Sequence, residues 1–143
     1  MSNCVVKISD ASVLAFHTML YLSSYQDRLV STKEIANKYH VSENHLAKVL
    51  QRLVKVGLVD SIRGPKGGFK LGRDAGEISL IEIYEIMDGP IGMYDCLLDE
   101  SSCGGGNSCL IFNGLLGSIN HQFKDYLSNK KLSDLQTLYE KQD

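Results

Sequence analysis

Three of the chain's four cysteines, Cys96, Cys103 and Cys109, fall within fourteen residues, on a stretch that also carries Gly104, Gly105 and Gly106. Thiolates are nucleophiles and ligands for soft metals and iron–sulfur clusters. Six and five residues separate these three, wider than the pairs of zinc fingers and unlike the Cys-x-x-Cys runs of ferredoxins. Three sulfurs on one loop can converge on a single centre and leave one position for a weaker oxygen or nitrogen ligand, which makes the site labile and suited to sensing. The glycine amides can donate to cluster sulfides and tune their stability. Zinc binding and free thiols that oxidise are the two other uses of the same residues. Cys4 stands apart.

No apolar run approaches the roughly 18 residues that span a bilayer, and the N-terminus lacks the layout of a secretion signal. A cytoplasmic location is expected, where thiols stay reduced and clustered cysteines read as ligands or redox sensors rather than disulfides. A length of 143 residues with 43% hydrophobic content suits one compact domain, or a small domain with a helical extension.

The net charge of −2 conceals an asymmetry: residues 28 to 73 hold ten basic and three acidic side chains, a balance of +7, leaving −9 elsewhere. A concentrated positive segment in a mildly acidic chain fits a polyanion, because each phosphate neutralised releases counterions. The elements of that segment give it a shape. A helix is expected from about Ser9 to Ser24, capped by Ser9 or Asp10. The capping-box order Ser31-Thr32-Lys33-Glu34 opens a second helix ending near His40, and Ser42 caps a third whose apolar positions are Leu46, Val49, Leu50, Leu53 and Val54. Gly57 stops it. Leu58 to Ile62 alternates as a strand, Arg63-Gly64-Pro65-Lys66-Gly67-Gly68 is turn chemistry, and Phe69-Lys70-Leu71 returns.

Two short helices, a tight turn and a basic hairpin make a winged helix-turn-helix, whose second helix enters the major groove while the wing touches backbone or minor groove. Asn44, His45 and Lys48 stand at the exposed start of the recognition helix with donors and acceptors for base edges. Thr32 and Lys33 are placed for phosphates. Arg63 and Lys66 at the wing tip suit a narrow minor groove. The expected fold is mainly α with a small β-hairpin wing: a DNA-binding unit over residues 1–78, then residues 79–143 with the cysteine loop (95–109) and dimerisation helices.

In that second part, Ser79-Leu80-Ile81-Glu82 is another capping box, opening a helix through Met87 that Gly89-Pro90 ends. Phe112, Leu116, Ile119, Phe123 and Tyr126 recur at alternating spacings of four and three, the seam of a helix pairing with another helix, although a helix of the monomer's own core fits nearly as well. A short helix from Ser133 to Lys141 closes the chain.

Over residues 5 to 130 the chain resembles the Rrf2 family of bacterial winged-helix regulators. The resemblance is carried by Val6-Lys7-Ile8-Ser9-Asp10, Ser31-Thr32-Lys33-Glu34-Ile35-Ala36, Leu50-Gln51-Arg52-Leu53 with Gly57-Leu58-Val59, the wing Arg63-Gly64-Pro65-Lys66-Gly67-Gly68-Phe69, and the three cysteines. It implies a homodimer on a partly palindromic operator, with a long C-terminal helix crossing to the partner, Asn44, His45 and Lys48 reading bases, and Ser61 and Arg63 serving the wing. In the iron–sulfur assembly regulators of the family a histidine three residues after the last cysteine completes the site; here that residue is Phe112. His121 lies twelve residues beyond Cys109, about 18 Å along a helix. Nitric-oxide-sensing members use an N-terminal aspartate from the partner subunit, and Asp10 occupies the matching position, with a 4Fe–4S cluster favoured over 2Fe–2S. Asp10 could equally be a helix cap, and Cys4 is the competing fourth ligand. The expectation is a regulator of repressor type, not an enzyme, sensing nitric oxide, redox state or iron–sulfur status. The alternative is a cluster-free thiol switch or zinc-binding regulator.

Overall fold

The computed structural model describes residues 6–92, 98, 100–105 and 108–140. Helix α1 spans Asp10–Ser24, α2 Thr32–Tyr39 and α3 Glu43–Lys55. Strands β1 (Val59–Ile62) and β2 (Gly68–Leu71) form an antiparallel hairpin with Val59 opposite Leu71 and Ile62 opposite Gly68. Then come α4 (Leu80–Asp88), the single turn α5 (Glu100–Cys103), a π-helical segment Leu110–Leu116, α6 (Gly117–Asn129) and α7 (Leu132–Glu140). The mainly helical architecture with its hairpin wing is the expected one. No helix among the described residues is long and apolar enough to cross a membrane.

Local chemistry starts the helices where the sequence places them. Ser9, Ser31 and Ser42 are the N-caps of α1, α2 and α3, each hydroxyl accepting from the amide three residues on. The box at Ser79 closes, with the Ser79 amide donating to Glu82 at 2.9 Å. The one at Ser31 does not: Ser31 Oγ takes the Glu34 amide at 3.1 Å, but the Glu34 carboxylate is turned back toward Arg28 and Tyr21. A guanidinium and a phenol outside the helix outcompete a single backbone amide for that carboxylate. His40 holds the tight turn between α2 and α3 in the left-handed region at φ 54.

One core joins the elements. Leu14, Ala15, Met19 and Leu22 of α1 pack with Ile35 of α2, with Leu46, Leu50 and Leu53 of α3 and with Ile83 and Met87 of α4. The α6–α7 turn closes back on the start of α4 through Leu80 N to Lys130 O and Leu132 N to Ile78 O, which buries Leu127 and Leu132. Val13 of α1 faces outward. The wing is anchored from behind by Val30, paired with Phe69 through bonds of 2.9 and 2.8 Å. Its turn depends on Gly67, where any Cβ would sit 2.0 Å from the Ile62 carbonyl oxygen.

The Phe112-to-Tyr126 stripe divides. Phe112, Leu116, Ile119 and Phe123 are half-buried, and Phe123 meets Tyr84 of α4 edge-on at 5.2 Å between centroids. Tyr126 is exposed, as are Leu110, Ile111 and Leu115. Much of the expected inter-subunit seam thus packs on its own chain, while a different apolar ridge faces outward. The π geometry, with Gly114 N donating to Cys109 O five residues back, shifts the helical phase on which the seam was drawn.

Candidate functional site

The recognition helix α3 buries Leu46, Val49, Leu50 and Leu53 and leaves Asn44, His45 and Lys48 exposed. Lys33 at the start of α2 and Ser61, Arg63 and Lys66 of the wing are exposed too; Thr32 is partly covered. Each was expected to face solvent for contact with DNA, and the fold puts them on surface positions of the helix-turn-helix and wing. Between α3 and the wing runs a groove of about 600 Å³ lined by Gln51 and Lys55 from the helix and Ser61 and Arg63 from the hairpin, with Ala47, Leu50, Val54 and Phe69 as its apolar wall. Gln51 and Lys55 escaped the sequence reading. The signal was present: residues 44, 48, 51 and 55 recur at helical spacing on one face. What the spacing alone lacked was the wing's position opposite that face.

Behind the start of α2, Arg28 donates from Nη1 to Glu34 at 2.9 Å, and the Tyr21 hydroxyl donates to the same carboxylate at 2.8 Å. The guanidinium holds the Glu34 carboxyl below its usual range, whereas burial and the carboxylate push the Tyr21 phenol up. Arg28 also covers the Tyr25 ring at 4.4 Å. This cluster fixes the backbone leading into Ser31, Thr32 and Lys33.

At the head of α1, Ser9 performs the capping, with the Ser12 amide 3.1 Å from its hydroxyl oxygen. Asp10 is therefore not the cap, and its side chain is exposed. Asp10 and His45 line one groove of about 350 Å³ with Val13, Leu14, His17, Tyr39 and Val41. A candidate ligand and a candidate base reader thus share a surface.

The cysteine stretch is described in part; Cys96 and Cys4 lie outside the described residues. Cys103 ends α5 and is exposed; Cys109 is half-buried and caps the π segment, its sulfur accepting from the Phe112 amide at 3.4 Å. Amides of Phe112, and then of Ile111, stabilise the Cys109 thiolate and lower its pKa. Both cysteines press on Gly105, where a Cβ would come within 3.3 Å of Cys103 Sγ and 3.5 Å of Cys109 Cβ. No group of three potential metal ligands assembles among the described residues. The donor chemistry of the two thiols, Cys109 favoured as thiolate by helix-end amides, fits a metal or cluster, which would supply a redox-sensitive crosslink when bound. His121 is paired with Asp125 at 3.1 Å on the far side of a helical turn and plays no part here.

A family model described as Rrf2, iron-dependent transcriptional regulator, matches residues 8–137. An HTH-type transcriptional regulator of Aquifex aeolicus is 31% identical over 135 residues, 93% of either chain. The HTH-type transcriptional regulator IscR of Klebsiella pneumoniae is 33% identical over 106 residues, covering 74% of this chain and 64% of that one. Among solved structures, CymR, the global cysteine regulator of B. subtilis, superposes with a TM-score of 0.77 at 29% identity, over 94% of this chain and 98% of that one.

Proposed function

The chain belongs to the Rrf2 family of transcriptional regulators, and from that premise we propose a homodimeric regulator of repressor type whose operator affinity follows the state of its cysteine loop. Residues 1–78 read DNA: Asn44, His45 and Lys48 at base edges, Thr32 and Lys33 on phosphates, and Ser61, Arg63 and Lys66 through the wing. Residues 79–143 carry the sensor and the dimer contact, for which the exposed ridge of Leu110, Ile111 and Leu115 supplies the apolar surface.

The observation that carries the sensing half is the meeting of Cys103 and Cys109 at Gly105. With Cys96 they form a three-thiolate set for an iron–sulfur cluster, a reading that the IscR relatives support; an aspartate as fourth ligand favours 4Fe–4S over 2Fe–2S. Asp10 is the fourth ligand we favour, supplied by the partner subunit, because Ser9 relieves it of capping; Cys4 is the competing donor. The signal is then nitric oxide, redox state or iron–sulfur status, read as gain or loss of the cluster. Anaerobic purification with absorbance, iron and sulfide measured together tests this. A coloured protein with iron and sulfide in equal amounts is expected, and Asp10→Ala should make it bleach faster. A colourless, iron-free protein would overturn the cluster.

A second reading has its own support. Cys103 and Cys109 both border Gly105. A thiol switch, or zinc on the same sulfurs, would use that arrangement without iron. Zinc content, or a Cys103–Cys109 disulfide in oxidised protein by mass spectrometry, would select it.

A further inference from the structure

Arg52 is one of the basic residues of the recognition helix, and charge alone would count it among the phosphate contacts. Its guanidinium is committed elsewhere. Nη1 donates to the Met87 carbonyl at 3.3 Å, in the last turn of α4, where helix carbonyls lack partners of their own and the dipole favours a cation. Arg52 also sits one position round the helix from the face that holds Asn44, Lys48, Gln51 and Lys55.

The end of α4 that Arg52 holds is tied on its other side as well. Asp88, the last residue of α4, accepts a 2.6 Å hydrogen bond from the hydroxyl of Ser12, which is wholly buried in α1. Partial burial raises the Asp88 pKa, but hydrogen bonds from Ser12 and Ser9 and the charge of Arg52 outweigh it and favour the carboxylate. Ser9 and Ser12 bracket Asp10. Directly after Asp88 come Gly89 and Pro90, the stem from which the cysteine stretch departs. One helical turn therefore receives the recognition helix, the head of α1 and the stem of the cysteine stretch.

We propose that Arg52 is a positioning residue which fixes the recognition helix to the end of α4, and that the Arg52–Met87 and Ser12–Asp88 bonds transmit movement of the cysteine stem to the DNA-reading face. The transmission rests on the sensing function proposed above; the positioning does not. A displaced stem moves Met87 and Asp88, and Arg52, bonded to the Met87 carbonyl, must move α3 or let go.

The test is operator binding across a salt series for wild type, Arg52→Gln, Arg52→Lys, Ser12→Ala and Lys55→Ala, each cluster-free and after anaerobic reconstitution with iron and sulfide. Lys55→Ala removes a positive charge from the groove between α3 and the wing and should lower the salt slope by about 0.9. Arg52→Gln should keep the wild-type slope. The wild-type affinity ratio between loaded and cluster-free protein, of roughly tenfold for coupled sites, should shrink to within about twofold in Arg52→Gln and Ser12→Ala and return in Arg52→Lys, which can still donate to Met87. A slope lowered by about 0.9 in Arg52→Gln would make Arg52 a DNA contact and overturn the positioning role. An undiminished ratio in both uncoupling variants would overturn the transmission. A wild-type ratio of one sinks the sensing function and the transmission together, and the Arg52→Gln slope then decides positioning alone.

Discussion

Glu34 answers to Arg28, six residues upstream, and not to its own N-cap Ser31: the guanidinium donates to both carboxylate oxygens, at 2.9 and 2.5 Å. Because the Glu34 pKa is lowered on folding, the stability it contributes is present above the unfolded carboxylate value, about 4.3, and is lost as pH falls through the lower folded value. Arg28→Ala should therefore reduce the melting temperature slightly at pH 7, the pair being well exposed to solvent. The difference from wild type should close in acid. Melting curves at pH 7 and pH 3 measure it; a gap that persists in acid would mean that the Tyr25 contact, not the charge, is what Arg28 supplies.

Thr18 is wholly buried in α1, and its hydroxyl finds no partner among the described residues. Thr18→Val keeps the shape and removes a buried group with an unmet hydrogen bond, so stability should rise by about 1 kcal/mol. Denaturant unfolding gives the number, and operator affinity should stay unchanged. A destabilised variant would place a bound water at Thr18.

Gly105→Ala should disturb the cysteines and nothing else. The added methyl would come within 3.3 Å of Cys103 Sγ, so that the thiol has to give by a few tenths of an ångström. Iron retained after desalting should fall severalfold, and disulfide formation should slow, while the thermal transition of the core is unmoved. Retention equal to wild type would mean that the two thiols do not act together.

In the groove between α3 and the wing, Arg63→Ala should cost about 1–3 kcal/mol of operator binding. Gln51→Ala should instead relax preference at one base position and leave the salt slope alone. Competition binding with singly substituted operators separates the two. Identical profiles for Gln51→Ala and wild type would remove Gln51 from base reading.

The helix starts were legible because Ser9, Ser31, Ser42 and Ser79 cap with chemistry confined to three residues. The second half of the Ser31 box was not, since its rival partners, Arg28 and Tyr21, reach Glu34 from outside α2. The wing announced itself through its glycines and Pro65, yet Gln51 and Lys55 gain meaning only when folding sets Ser61 and Arg63 opposite them. Asp10 and Ser9 were equivalent caps on paper; geometry gave the task to Ser9. The seam from Phe112 to Tyr126 was drawn with α-helical phase, and the π segment breaks that phase. Leu127 and Leu132 entered the core through a tight turn whose pairing with Ile78 and Leu80 no local pattern encodes. Cys103 and Cys109 could be paired in sequence, but Cys96 lies outside the described residues, so the full ligand set still rests on spacing and resemblance.

The π segment also makes the cysteine end of α6 a phase-shifting gear. It winds an extra residue into its turn, with Gly114 N bonded five residues back to Cys109 O and Gly117 N shared between Phe112 O, five residues back, and Gly114 O. If it relaxed to α-helix while Phe123 stayed docked on Tyr84, every residue ahead of it would rotate by about 100° around the axis. Cys109 and the exposed Leu110–Ile111 ridge would turn together, so a pull on one sulfur would be felt as torque on that apolar surface. Chemistry at a single thiol and the direction in which the ridge faces would then be geared through the same seven residues.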